Sequence, residues 1–313
     1  MALSGSTDFT LSRDEIAAAI LRKMGGAKPL SAQISTKNQA AHVAQSVNLM
    51  LKAWQTEGIG LWKAAEITLV CDTTSTYYDI GPSSADHMST TVVKTEIATA
   101  AAAAATTIVV DSYTGMTDGD VCGVELDDGT VQWTTLDTPA STSLTIDDAL
   151  TDTVAVDNHV YTYTALPARP LAITEARLIR ADGTETPMDV VTWDKYTEIA
   201  DKSAGGNPTM ACYRPVLTNG KLYVWPISDS VQKRIIFTAR IPVDDLDAAA
   251  NNADIPVEGL RALIWNGALE ILPEYDVPPD RANRIERMAI STLMSLQAYD
   301  YEMGSVYFDV DNR

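Results

Sequence analysis

The sequence is poor in the residues that do chemistry. Its 313 positions hold three cysteines, Cys71, Cys122 and Cys212, and three histidines, His42, His87 and His159. The cysteines are odd in number and far apart, and they form no CxxC pair or zinc spacing. They read as buried thiols of a protein made in a reducing cytoplasm. No second histidine follows His42 by four residues, which removes a paired helical metal site. GxSxG, HExxH and Walker-type loops are missing, so neither a metal nor a cofactor is expected. No segment approaches the roughly 20 apolar residues of a membrane helix; the run Ala100–Ala105 is too short and lies among threonines. The opening MALSGSTDFT has neither a basic n-region nor an apolar h-region, so no signal peptide is expected. Positive charge is also scarce. The net charge is −19, the reverse of the basic footprint of a nucleic-acid reader.

What is present is a chain long enough for about two or three domains, with 46% apolar residues to build their cores. The acidity is uneven. Residues 85–166 hold 13 Asp and Glu against one basic residue, Lys94, a net −12. That stretch is rich in Thr, Ala and Val, and short strand-like runs recur in it: TVVKTEIA, TTIVV, DVCGVELDDG, TVQWTTL, SLTID and HVYTYT. Asp128-Gly129 between two of them is a hairpin signal. Residues 86–165 are therefore read as an acidic all-β domain inserted into another domain.

Helix signals precede it. Ser12 and Glu15 form a capping box, with Leu11 and Ile16 placed as a hydrophobic staple. Ile16, Ile20 and Met24 follow at helical spacing, and Gly25-Gly26 stops the run. A second helix is expected from about Thr36, with Val43, Val47, Met50, Leu51 and Trp54 as its apolar stripe and Gly58 as its end. EITLV and STYYDI read as strands. After the insertion, LAITEARLIR and ETPMDVV, then TMACYRPV and KLYVWPI, read as strand pairs around Asp182-Gly183 and Asn219-Gly220, and KRIIFTARI as a further strand. A short helix capped by Thr192 lies between the pairs, and helices over 257–272 and 279–302 close the pattern. The fold class expected is α+β: a helical-bundle core, made of an N-terminal helix hairpin and the C-terminal helices, with a β-rich portion and the inserted all-β domain.

Candidate sites are few. The acidic run TDGDVCGVELDDG offers Asp118, Asp120, Glu125, Asp127 and Asp128, but not the spacing of an EF-hand loop; turn-forming, solvated carboxylates are the simpler reading. Glu57, Glu66, Glu270 and Glu274 are no better placed than other acids for a two-carboxylate hydrolase. Arg281, Arg284 and Arg287 form a basic stripe on the last helix. It is either a solvated face laced with Asp280 and Glu286 or a contact for an acidic partner. Ile59, Leu61 and Trp62 follow a helix stop, placed either in one internal core with Trp54 or against a neighbouring subunit. The stretch GSVYFDVDNR alternates Val306, Phe308 and Val310 against Tyr307, Asp309 and Asp311, a strand pattern without a local partner.

The order of these pieces carries a resemblance. A capped helix precedes NLMLKAWQTEG-x-x-LW; a segment with YYDIGP follows; then come RPLAITEARLIR, WDKYTEI-x-x-K, NPTMACYRP, the hairpin NGKLYVWPIS, and IPVEGLRALIWNGALEILPEYDVP leading into a long helix. This colinear set, over residues 10–82 and 168–313, resembles the head-to-tail adaptor family of short-tailed bacteriophages, also called tail accessory factors or packaged-DNA stabilisation proteins. The stretch 86–165 lies outside the family pattern.

The resemblance implies a non-enzymatic virion protein at the head-tail junction, synthesised in the host bacterial cytoplasm. It implies a homo-oligomeric ring, typically of twelve copies, that sits below the portal protein, extends the DNA channel, retains packaged DNA until ejection, and carries the tail nozzle and tail fibre proteins. DNA would pass without sequence-specific binding, and no membrane is involved. It also implies a partition into an adaptor core domain (1–85 and 166–303), the inserted domain (86–165) and an extended portal-binding arm (304–313) with contact residues Val306, Tyr307, Phe308, Val310 and Arg313. Ile59, Leu61, Trp62, Arg281, Arg284 and Arg287 are the candidate subunit or partner contacts. A virion-associated peptidoglycan hydrolase, or a fibre- or glycan-binding module carried by the insertion, are the alternatives.

Overall fold

A computed structural model describes residues 9–26, 28–29, 38–60 and 63–299. Helices α1 (Arg13–Met24) and α2 (Gln39–Thr56) come first, followed by strands β1 (Ala64–Val70), β2 (Tyr77–Ile80) and β3 (Met88–Ser89). Six strands form the next group: β4 (Val93–Thr99), β5 (Thr107–Val110), β6 (Val121–Glu125), β7 (Val131–Asp137), β8 (Ser143–Ile146) and β9 (His159–Tyr163). Then come β10 (Ala172–Ile179), β11 (Glu185–Val190), helix α3 (Trp193–Thr197), β12 (Gly205–Gly206), β13 (Met210–Arg214), β14 (Gly220–Trp225), β15 (Ile227–Ser228) and β16 (Arg234–Arg240). Helices α4 (Leu260–Glu270) and α5 (Pro279–Tyr299) complete the described chain. Two compact units result, one of residues 1–63 with 242–313 and one of residues 64–241.

The expected helical-bundle core is overturned. The described chain is mostly β, and its five helices are the minor part. The reason is physical. Helix signals are local, whereas the sheet is assembled from segments far apart in sequence: Ile67 on β1 stands opposite Phe237 on β16, and Leu222 on β14 opposite Tyr78 on β2. No short window displays such pairing.

In the helical unit the start of α1 forms as the capping box requires. The Ser12 side chain accepts from the Glu15 backbone, and the Glu15 carboxylate accepts from the Ser12 N–H at 2.9 Å. Gly25 ends the helix in the left-handed region at φ +70°. Helix α2 starts at Gln39 after Asn38, without a side-chain cap. One core joins Ile16 and Ile20 of α1, Val47 and Trp54 of α2, Leu263 of α4, and Ile285 and Leu296 of α5.

The β unit holds an eight-stranded sheet in the order β2-β14-β13-β11-β10-β16-β1-β3. Its pairs are antiparallel except β11 with β13. Strand β16 alternates strictly, with Ile235, Phe237 and Ala239 inward. Tyr78 and Ile80 from one edge strand share a core with Met88 from the other, so the sheet curls over on itself. Strands β4 to β9, which lie in sequence between β3 and β10, close a six-stranded barrel, β4-β5-β8-β7-β6-β9, around Ile97, Ile108, Leu136, Leu144 and Val160. Strand β9 is buried on both faces. Its outward Tyr161 donates to the Val231 carbonyl at 3.3 Å, and the outward Tyr163 hydroxyl lies 2.9 Å from Nδ1 of His87. The barrel is thereby seated on the sheet.

Candidate assembly surface

The groups with chemical potential are engaged in structure. Helix α2 carries His42, which pairs with the Glu274 carboxylate. Glu66 pairs with Arg177 at 2.6 Å. His87 lies flat on Trp133, with ring centroids 3.5 Å apart and planes 9° apart. The stack exists because position 123 is glycine: a Cβ there would stand 2.6 Å from Cζ3 of Trp133. Burial pushes His87 down to about 4. His159, with Nδ1 2.9 Å from the Tyr161 hydroxyl, is pushed down to about 4 by the same cause. Burial raises the Cys71 and Cys122 thiols to about 12, which keeps both protonated and unreactive.

The acidic run organises turns. Asp120 accepts from the backbone and hydroxyl of Thr117, Asp118 from the Thr138 N–H, and Asp128 from Thr130. Asp127 accepts from the Thr153 hydroxyl, which with the Ala155 and Asn158 donors holds its carboxyl below the usual range. Glu125 accepts from the His159 N–H and from Gln232. These bonds are the Asx-type and cross-loop contacts that polar turn residues favour. Among the described residues, no three His, Cys, Asp or Glu side chains gather as a metal-binding group.

The expected contact residues separate. Ile59 is 6% exposed and packs in the helical core with Trp54, so it has almost no surface to offer a neighbour. Arg281 is engaged within its own unit: its guanidinium fills the space beside Gly25, where a Cβ would overlap Nη1 at 0.9 Å, and Nη1 donates to the Met24 carbonyl at 3.0 Å. A cation is thus held at the C-terminus of α1, where the helix dipole favours it. Arg284 and Arg287 are exposed, with Nε of Arg287 donating to its own helix at Asn283. Leu61, Trp62, Val306, Tyr307, Phe308, Val310 and Arg313 lie outside the described residues.

Two further residues join Arg287. Helix α5 buries Ile285, Ala289, Thr292 and Leu296. At about 100° per residue the opposite face carries Asn283, Arg287, Ile290 and Met294. Ile290 is 47% and Met294 64% exposed. In sequence this second stripe is an i, i+4 apolar pair one turn beyond the last arginine, a spacing shared with buried helix faces. Leu49 on α2 is likewise 64% exposed, beside a groove of about 370 Å³ that includes Lys52 and Asp245. Exposed apolar residues singly are ordinary, but a helix stripe of them beside arginines has the composition of a protein contact.

No family model matches the chain, and no curated protein matches it.

Proposed function

We propose that this chain is a structural connector of a short-tailed bacteriophage virion, a ring subunit seated beneath the portal at the head-tail junction. The observation that carries the proposal is the outward stripe of α5, Arg287, Ile290 and Met294, in the unit built from both ends of the described chain. A closed ring needs two unlike surfaces on each subunit. The helical unit offers apolar residues on α5 and, separately, Leu49 on α2, and each of these helices packs against α4. The colinear resemblance to the adaptor family supports the same reading.

The charge fits a conduit. Lys and Arg that neutralise phosphates hold DNA in a salt-dependent way. A chain of net charge −19 repels a sliding duplex over about 8 Å at physiological ionic strength. In this reading the subunit binds portal, nozzle and fibre proteins, and the acidic barrel keeps the ring from gripping the genome.

Electron microscopy of the purified protein, alone and mixed with the portal protein of the same particle, tests the proposal. Closed rings, formed alone or on the portal, are expected. A protein that stays monomeric and unbound beside assembled portal would overturn it.

A further inference from the structure

We infer that the outward stripe of α5 on one copy of this chain seats in the groove beside Leu49 on the next copy. The inference rests on the connector reading and names the pair of surfaces through which a ring closes. The groove, of about 370 Å³, runs along α2, where Ala41, Ala44 and the exposed Leu49 line one wall and residues 245–247 the other. The second wall is tied to the first. Asn48 Oδ1 accepts from the Leu246 N–H at 3.0 Å, and Lys52 donates to the Val243 carbonyl at 2.6 Å and pairs with Asp245 at 2.8 Å. The groove is therefore formed before any partner arrives, which lowers the cost of ordering it on binding. Alanines on the α2 wall let another helix approach closely, since side-chain size at the contact sets the distance between packed helices.

Size and charge select the occupant. At the helical rise, α2 advances about 16 Å from Ala41 to Lys52, and α5 about 10 Å from Arg287 to Met294. The stripe therefore fits within the groove. Ile290 and Met294 bring apolar surface that is 47% and 64% exposed, and Leu49, itself 64% exposed, stands ready to cover it. The charges match as well. The Asp245 side chain is 60% exposed, and Lys52 takes only its Oδ1, which leaves Oδ2 for a guanidinium. Arg287 is exposed and, among the described residues, makes no ion pair; its Nε donates to the Asn283 carbonyl at 3.3 Å. An arginine followed by two apolar residues on one helix face, laid against an apolar wall with a carboxylate opposite, is helix-in-groove recognition. Helix α4 packs against both α2 and α5, so one unit presents both halves of the contact, as head-to-tail closure requires.

The test mixes two full-length variants and reads their assembly by sedimentation, with and without the portal protein. One carries Leu49→Glu, which spoils the groove and keeps the stripe. The other carries Ile290→Glu with Met294→Glu, which spoils the stripe and keeps the groove. Each alone is expected to stay monomeric, and an equal mixture to give one-to-one dimers that grow no further. Arg287→Asp and Asp245→Arg should each weaken association of the parent at least tenfold, and the two together in one chain should restore it to within severalfold. Rings from the Leu49→Glu variant, dimers of that variant alone, a mixture that stays monomeric, or no rescue by the paired charge reversal would each overturn the pairing. If the parent still closes rings in those cases, the connector reading stands and only the choice of surfaces fails. A parent that forms no ring, alone or on portal, overturns both.

Discussion

The barrel of β4 to β9 and the helical unit solve the problem of surface in opposite ways. The barrel pairs every strand on both sides, so it leaves no sheet edge open. Its turns consume their own carboxylates, and only Tyr113 and Val156 among its large apolar side chains are well exposed. It also lies in the stretch that carries twelve of the chain's nineteen excess negative charges. The helical unit leaves Phe9, Leu49, Val257, Ile290, Met294 and Tyr299 exposed. A region that repels and is closed is suited to stand beside DNA or solvent. A region with uncovered apolar stripes is suited to be covered by other subunits. Under the proposed connector reading, the assembly contacts belong to the helices and the barrel has a different task.

The largest expected effect breaks that contrast directly. Ile290→Glu with Met294→Glu removes two side chains that can each contribute about 1.5–3 kcal/mol when fully buried and places charge in their stead. Ring or portal association should weaken by more than a hundredfold in a sedimentation assay, while the melting temperature stays within a degree or so of the parent. The same replacement at Val156 in the barrel should leave association unchanged.

The second effect is acid sensitivity of the barrel seat. His87 and His159 sit at about 4 in the folded protein, below the ordinary 6.5. The unfolded chain therefore takes up these protons first. Their neutral state contributes its full stability above about pH 6.5, loses it progressively as the pH falls, and has nothing more to lose below about 4. The ceiling is about 3 kcal/mol for each ring, and less for the more accessible His87. Asp86, whose carboxyl burial raises, opposes them at the acid end as its penalty is relieved. Thermal melts between pH 7 and 4.5 should show the loss, and His87→Asn should flatten the curve. A melting temperature constant over that range would contradict the buried neutral histidines.

Third, Gly123→Ala should destabilise the barrel by about 1–3 kcal/mol, the usual cost of forcing an added carbon into a packed site, because Trp133 is pinned against His87. Near-ultraviolet circular dichroism should report the displaced tryptophan. The smallest effect is at the other unit: Ser12→Ala should cost about 1 kcal/mol through loss of the α1 cap, measured by chemical denaturation.

Much of the local structure was legible in the sequence, and for identifiable reasons. Ser12 and Glu15 announced the start of α1. The apolar spacing of Val43, Val47, Met50, Leu51 and Trp54 gave the buried face of α2, all five being buried. Asp128-Gly129 marked the turn between β6 and β7, with Gly129 at φ +81°. What was not legible depends on distant partners. The expected helical core rests on signals complete within one or two turns, whereas the curled sheet depends on pairings such as Ile67 with Phe237. Strand β9 reads as a plain strand, and nothing local says that Val231 and His87 cover its outer face. Arg281 is exposed, and its hydrogen bond to the carbonyl of Met24, 257 residues away in the chain, has no local signal. At the candidate surface Arg287 is exposed, and so are Ile290 and Met294, whose i, i+4 spacing reads equally well as part of a buried face.

The most direct test of the central claim is site-specific photocrosslinking in assembled particles, with the photoreactive residue placed at Ile290 on α5 or at Val156 in the barrel. The account expects position 290 to crosslink to a second copy of the chain or to the portal, and position 156 to crosslink to neither. Crosslinks from 156 with none from 290 would put the assembly contact in the barrel and contradict the account.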